Sequence, residues 1–388
     1  MKSSYLAFLC VALASLGFGQ KLTVDAVANP SGDGAIQANW TTTPDGSPLL
    51  SWVTNEDDGS MNLVYSVRKG GQWSKPVVIA KNREFFRHPA ELPGVISLAD
   101  GTLLAHWVEM PEDADDAEFL WVTASRDGMK WSKPVMAHKD KSMVQHGLAS
   151  MVASGPKEAS LMWLEALKGE DGPVTLKRTV INSEGAVVKE ESLDQDVCAC
   201  CPTAIVKTAK GLLVAYRDHT AGDIRDIAAV RFENGKWSPS ANIFADKWKI
   251  NACPTNAAAV AAKGDRAAIS WYTAAGGAAK VQLVFSADGG ATFTKPVVVS
   301  TATAYGYTSV ALDDDGGAIV SWLEKGGSDS SIQVRKVDAK GVAGSAVQVA
   351  QGARKSLGYP KILRSGGETW IAWAGAGGSD KVHTARLK

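Results

Sequence analysis

The sequence lacks an excess of either charge: 41 lysines and arginines are balanced by 41 aspartates and glutamates in 388 residues. Binding to a phosphate backbone needs cations in excess on one face, so this balance speaks against a nucleic-acid partner. Beyond the N-terminal stretch no apolar run approaches about 18 residues, the length that a membrane-spanning helix requires. Cysteine is sparse, five in all, and tyrosine (7) is outnumbered by tryptophan (13). Glycine is plentiful, 38 residues, and 45% of the chain is hydrophobic. Such a composition is neither disordered nor collagen-like, and it suits a turn-rich β protein.

Residues 1–19 read as a signal peptide, with Lys2 as the positive end, an apolar run over 5–16 and small residues at Gly17-Phe18-Gly19. Export to the periplasm or beyond is the expectation, with residues 20–388 as one monomeric domain. A short strand ending in an aromatic then recurs, marked by Trp52, Trp107, Trp163, Tyr216, Trp271, Trp322 and Trp373. The steps are 55, 56, 53, 55, 51 and 51 residues, which makes seven units of about 53. Each unit holds four short strands, the arithmetic of a propeller blade. An all-β, seven-bladed β-propeller follows. The last unit stops after its third strand, so residues 21–27 are expected to supply the missing outer strand and close the ring.

Ser286-Ala287-Asp288-Gly289-Gly290-Ala291-Thr292-Phe293 fits S-x-D-x-G-x-T-[WF], and Ser125 to Trp131 is the same turn one residue short. Asp accepts backbone N–H bonds inside such a turn, Gly takes positive φ, and the aromatic packs between blades. Further short motifs are Gly101 to Trp107, Gln145-His146-Gly147, Cys198-Ala199-Cys200-Cys201-Pro202-Thr203, Tyr216-Arg217-Asp218, Ile224 to Ile227 and Ala252 to Asn256.

On these residues the chain resembles the sialidase (neuraminidase) superfamily of BNR/Asp-box propellers. It is most similar to exported bacterial sialidase-like proteins carrying the C-x-C-C-x-T motif. The resemblance implies a glycoside hydrolase of the exo-α-sialidase type, and sialidases have six blades, the alternative to seven. It also implies a catalytic tyrosine at Tyr307, in Tyr305-Gly306-Tyr307, assisted by a carboxylate such as Glu324, since a free phenol has a pKa of about 10. Sialidases hold the substrate carboxylate with three arginines. The first of these places falls on Glu91, or on Arg87 in a reading shifted by four residues, so the arginine set is incomplete.

Loops entering the innermost strands and loops between second and third strands should meet on one face and form a pocket. They bring Glu91, His146, Cys198, Cys200, Cys201 and Cys253 together with Glu109, Glu165, Arg217, Asp218, Arg225, Asp226 and Glu324. Glu165, Asp218 and Glu324 are acid–base candidates alongside Tyr307. Arg217, Arg225, Asp226, His146, Glu91 and Glu109 are candidate ligand contacts, and the carboxylates are also possible Ca²⁺ ligands. The other histidines read as surface or packing residues, and the acidic stretch 112–118 as a solvated loop. The four cysteines point to disulfides, one from Cys253 to the C-x-C-C run. A soft-metal site or a redox-active pair is the alternative. Two functions stay open: a propeller binding or hydrolysing a glycan or other polar ligand in its central pocket, and a non-catalytic interaction propeller with a structural or metal-binding cysteine cluster.

Overall fold

The computed structural model describes residues 22–56, 58–111, 117–167, 172–375 and 381–388; the expected leader lies outside them. Seven antiparallel sheets build the molecule. The described helices are one turn at Arg354–Leu357 and a 3-10 turn at Ala275–Gly277. The innermost strands of blades 1 to 7 are Ile36–Thr42, Gly94–Ser97, His146–Gly155, Ala204–Thr208, Ala259–Lys263, Ala304–Leu312 and Lys361–Ser365. Each packs beside the next, and the seventh packs beside the first. The fold is a seven-bladed β-propeller.

The ring closes as the missing strand demanded. Val24–Val27 pairs antiparallel with His383–Leu387, Val24 opposite Leu387, and becomes the outer strand of blade 7. Closure leaves no unpaired edge between the two ends of the chain. All seven marked aromatics lie on second strands and are buried, from Trp107 at 0% exposed to Trp373 at 9%. Truncating one such side chain to alanine costs roughly 3–5 kcal/mol, so the repeated aromatic is the anchor of its blade.

The Asp-box turns lie between third and fourth strands. In blade 5 the Thr292 amide and hydroxyl donate to Asp288 (2.9 and 2.7 Å), and the Gly290 amide donates to Ser286 Oγ (2.9 Å). Gly290 has φ +89°, and a Cβ there would stand 2.6 Å from Leu213 of blade 4. In blade 2, Tyr65 of blade 1 donates its hydroxyl to the Gly128 carbonyl (2.8 Å). Both turns therefore join neighbouring blades.

Three inner strands carry a bulge at the same place, opposite the blade's aromatic. Gln37, Leu148 and Tyr307 take φ of +54°, +55° and +51°, and the ladders of blades 1, 3 and 6 shift register there. Such bulges bend a strand and re-aim side chains at the rim of a sheet.

Candidate functional site

Entry loops and second-strand ends do share one face. The Cys198 amide donates to the Arg217 carbonyl (3.0 Å), the Lys325 amide to the Thr303 carbonyl (2.8 Å), and His146 pairs with Glu165 in register. The expected site residues gather there in three groups, at blades 2–3, 4–5 and 6–7.

Glu91 lies below the mouth, 1% exposed. Its carboxylate accepts the amide of Leu148, the bulge residue of blade 3, and more weakly that of Ala149 (3.4 Å). The same device recurs one residue type at a time. Three residues before the inner strand of blade 5, Asn256 Oδ1 accepts the Tyr307 amide (2.8 Å), and at the matching place in blade 4 Cys201 Sγ accepts the Asn256 amide (3.4 Å). Glu91 thus caps the next blade. Burial, and next the charge of Glu118, push its carboxyl up to about 8. Burial pushes Glu118 up to about 7, and at 8% exposed it is no solvated loop residue. Gly147 passes between the two carboxyls: a Cβ there would stand 2.4 Å from Glu118 Oε2 and 3.1 Å from Glu91 Oε2. Only glycine fits.

Beside this pair His146 is fully buried and stacked on His138, ring centroids 3.9 Å apart. His146 Nδ1 donates to the Glu118 carbonyl (3.0 Å). Glu165 is 5% exposed, and Lys177 Nζ lies 3.2 Å from its Oε2.

At blades 4–5 the sulfurs of Cys198, Cys200 and Cys201 converge, Cys198 lying 3.8 Å from Cys200 and 3.6 Å from Cys201. All four described thiols are free. The expected bridge from Cys253 does not form: Cys253 is exposed and stands outside the sulfur group, at the Arg225 side of the loop. Arg225 Nη1 donates to Cys198 Sγ (3.2 Å). Hydrogen bonding with the Cys200 and Cys201 thiols, with the Arg217 charge, holds the Cys198 thiol far below its ordinary value, while burial pushes Cys201 up to about 12. A single thiolate at Cys198 is thus favoured by its surroundings.

Arg217 is 1% exposed and donates to the carbonyls of Arg225 (2.7 Å), Asn256 (3.2 and 3.3 Å) and Tyr272 (2.8 Å), under the Trp248 ring. It ties two loops to the end of the second strand of blade 5. Asp226 accepts the amides of Lys247 and Trp248 (both 2.9 Å) and fixes the next loop. Asp218 stays half-buried at the rim. Burial and the nearby Asp194 push its carboxyl up to about 6.

Tyr307 packs in the hydrophobic core, 7% exposed, against Tyr359 (5.1 Å between rings). Glu324 is spent elsewhere: it accepts the Trp322 indole (2.9 Å), the Thr301 amide and hydroxyl (3.0 Å) and the Ala302 amide (3.0 Å). Glu109 likewise accepts the Trp107 indole (2.5 Å) and a bidentate pair from Arg83.

Along the ring axis lies a cavity of about 260 Å³, lined in part by His106, Ser150, Thr203, Thr308 and Lys361. Pro202, Ala257 and Tyr359 line it where the entry loops meet. His106 is buried there with Nδ1 unpartnered, and burial lowers its pKa to about 4. Burial also lowers Lys361 to about 8. Neither was singled out in the sequence, where His106 is one of an apolar strand's alternating residues and Lys361 one lysine among many.

Residues 51–369 match the family model described as a BNR repeat-like domain, and the chain belongs to that family. No curated protein matches the chain. Among solved structures it is similar to a polysaccharide lyase of family PL25, an ulvan lyase, with TM-score 0.58, 10% identity and coverage of 92% of this chain and 95% of that one. It is similar to the NanB sialidase of Streptococcus pneumoniae, with TM-score 0.51, 10% identity and 94% of each chain covered. It is similar also to the GH93 α-L-arabinofuranosidase of Fusarium graminearum, with TM-score 0.51, 16% identity and coverage of 94% and 98%.

Proposed function

We propose that this chain is an exported propeller that binds a polar, glycan-type ligand at the mouth of blade 4 and does not hydrolyse sialosides by the tyrosine route. The observation that carries the reading is the commitment of the sialidase-like set. Tyr307 is packed in the core, Glu324 holds a loop, and Arg217 donates only to carbonyls. What stays partly open is Asp218, with His219 bonded to Asp196 (2.8 Å), Arg225 and Cys200. A half-buried carboxyl that keeps its proton to about pH 6 suits a hydrogen-bond donor or general acid toward sugar hydroxyls. The saccharide-acting names of the similar propellers support the ligand class and nothing finer.

The test is a glycan array followed by calorimetry, with a chromogenic sialoside and a glycoside panel for turnover. Saccharide binding weakened at least tenfold, about 1.4 kcal/mol, in Asp218→Asn is expected. Sialoside cleavage abolished in Tyr307→Phe, or no saccharide binding at all, would refute the reading.

A second reading rests on the three sulfurs. Cys198 and Cys201 have C-x-x-C spacing, lie 3.6 Å apart and sit beside two guanidinium groups, an arrangement that suits a soft cation or a reversible disulfide. Intact mass of the unreduced protein, with thiol counting, separates free thiols, a bridge and a bound metal.

A further inference from the structure

We propose that Asp140, His146 and Glu165 form a binding site for one divalent transition cation of borderline softness, of the zinc kind. The proposal does not rest on the glycan reading or on the cysteine cluster.

The argument begins with a tautomer. His146 Nδ1 faces a carbonyl oxygen, that of Glu118 at 3.0 Å, and only an N–H can satisfy that contact. In the neutral ring Nε2 then presents a lone pair. It points at two carboxylates, 3.8 Å from Asp140 Oδ2 and 4.0 Å from Glu165 Oε1. These distances are too long for hydrogen bonds. His146 Nε2 and Glu165 Oε1 are both buried without a partner. Three acceptor atoms thus surround one gap, and an electron-poor occupant is what such a gap lacks.

The spacing suits an ion. Imidazole nitrogen and carboxylate oxygen bind zinc at about 2.0–2.2 Å, which sets ligand atoms about 3.4 Å apart at tetrahedral angles and up to about 4.2 Å apart across the ion. Asp140 Oδ2 and Glu165 Oε1, 3.8 and 4.0 Å from His146 Nε2, fall between those two limits. Each ligand is also held from behind. Ser142 donates its hydroxyl and amide to Asp140 (2.6 and 2.9 Å), Lys177 holds the other oxygen of Glu165, and the Glu118 carbonyl fixes the imidazole. Such outer contacts are what orient metal ligands. Lys177 is shared with Glu190 (3.1 Å), so the two ligand carboxylates remain a net anionic pair. His138, stacked on His146, accepts the Leu120 amide at Nε2 (3.3 Å) and brings no charge.

A second observation comes from the repeat. Glu109, Glu165 and Glu324 each stand two residues after their blade's tryptophan. In blades 2 and 6 the indole donates to that glutamate. In blade 3 the Trp163 indole turns to Thr179 Oγ1 (3.0 Å), whose hydroxyl donates to the Ala137 carbonyl (2.7 Å), and Glu165 is released toward His146. Asp140, with 44% of its side chain exposed, leaves one side of the gap open to solvent. An imidazole among the ligands favours transition cations over Ca²⁺.

The test uses the full-length protein with Cys198, Cys200 and Cys201 changed to serine, stripped with EDTA and titrated with Zn²⁺, Mn²⁺ and Ca²⁺. One equivalent of Zn²⁺ is expected, undisturbed by a hundredfold excess of Ca²⁺. Glu165→Gln should weaken it about a hundredfold, and Asp140→Asn, on an exposed loop, at least tenfold with the melting temperature of the stripped protein unchanged. If the triple-serine protein takes up no ion, or if both variants bind as it does, the proposal falls. A proton shared by His146 and the carboxylates would then fill the gap, visible as an imidazolium in nitrogen NMR.

Discussion

Glu324 in blade 6 and Glu165 in blade 3 occupy one place in two copies of the same module, and they do opposite things. Glu324 accepts four donors from Trp322, Thr301 and Ala302 and stitches an entry loop to its blade. Glu165 has lost its indole to Thr179 and faces His146 Nε2 at 4.0 Å. The residue type is the same and the burial is similar, 8% and 5% exposed. The difference lies in one hydroxyl on the neighbouring strand and in what the entry loop offers. A repeat supplies positions; the neighbours of each position decide whether a carboxylate is a rivet or a ligand.

The largest effect that breaks or upholds this contrast is on stability. Glu324→Ala strands a buried indole and two loop amides, and should cost about 4 kcal/mol in urea unfolding. Glu165→Gln in EDTA should cost well under half of that. Equal losses would mean that both glutamates are rivets.

The next effect sharpens the contrast with a second pair, Glu91 and Asn256, which cap equivalent bulges with a carboxyl and an amide. The folded-state pKa of Glu91 is raised to about 8, so the native protein holds a proton that the unfolded chain releases near 4.5. This contribution is fully present below about pH 4.5 and is lost as pH rises through about 8. Glu91→Gln should remove up to about 5 kcal/mol of that decline and leave the protein more stable than wild type above pH 8, read from urea midpoints across pH. A variant with the wild-type slope would show that Glu91 is ionised in the fold.

Arg225→Gln compares the anionic cluster of blade 3 with the cationic one of blade 4. Without the guanidinium on Cys198 Sγ, thiolate stabilisation falls by about 1.4 kcal/mol, and the pH at which the thiolate absorbance appears rises by about one unit. An unchanged titration would show that the thiols alone set the charge of Cys198. The smallest effect belongs to the opposite face. Asp288→Ala, which removes the acceptor of the blade 5 Asp-box, should cost about 1 kcal/mol and leave both clusters as they were.

The fold was legible because the module repeats its own grammar. An aromatic every 53 residues or so gives the blades, the Ser286–Phe293 turn gives their outer joints, and the unfinished seventh unit calls for Val24–Val27. The meeting of His146, Glu165, Cys198 and Arg225 on one face followed from the same count. Which of these side chains remain free did not. Arg217 looks like a ligand-binding arginine until its carbonyl partners are seen, and Tyr307 looks like a nucleophile until its core contacts are. Glu118 reads as a loop acid and Asp140 goes unnoticed, because their burial and their aim depend on how the 138–146 segment folds over the ring. The Cys253 bridge failed for a similar reason: the loop that carries it turns outward, while the C-x-C-C run turns in.

The most direct test of the claim that surroundings free Glu165 while binding Glu324 is anomalous diffraction from a crystal grown with Zn²⁺, collected at the zinc edge. The account predicts a peak within about 2.3 Å of His146 Nε2 and Glu165 Oε1 and none at Glu324. A crystal with zinc in its mother liquor and no peak beside His146 would contradict it.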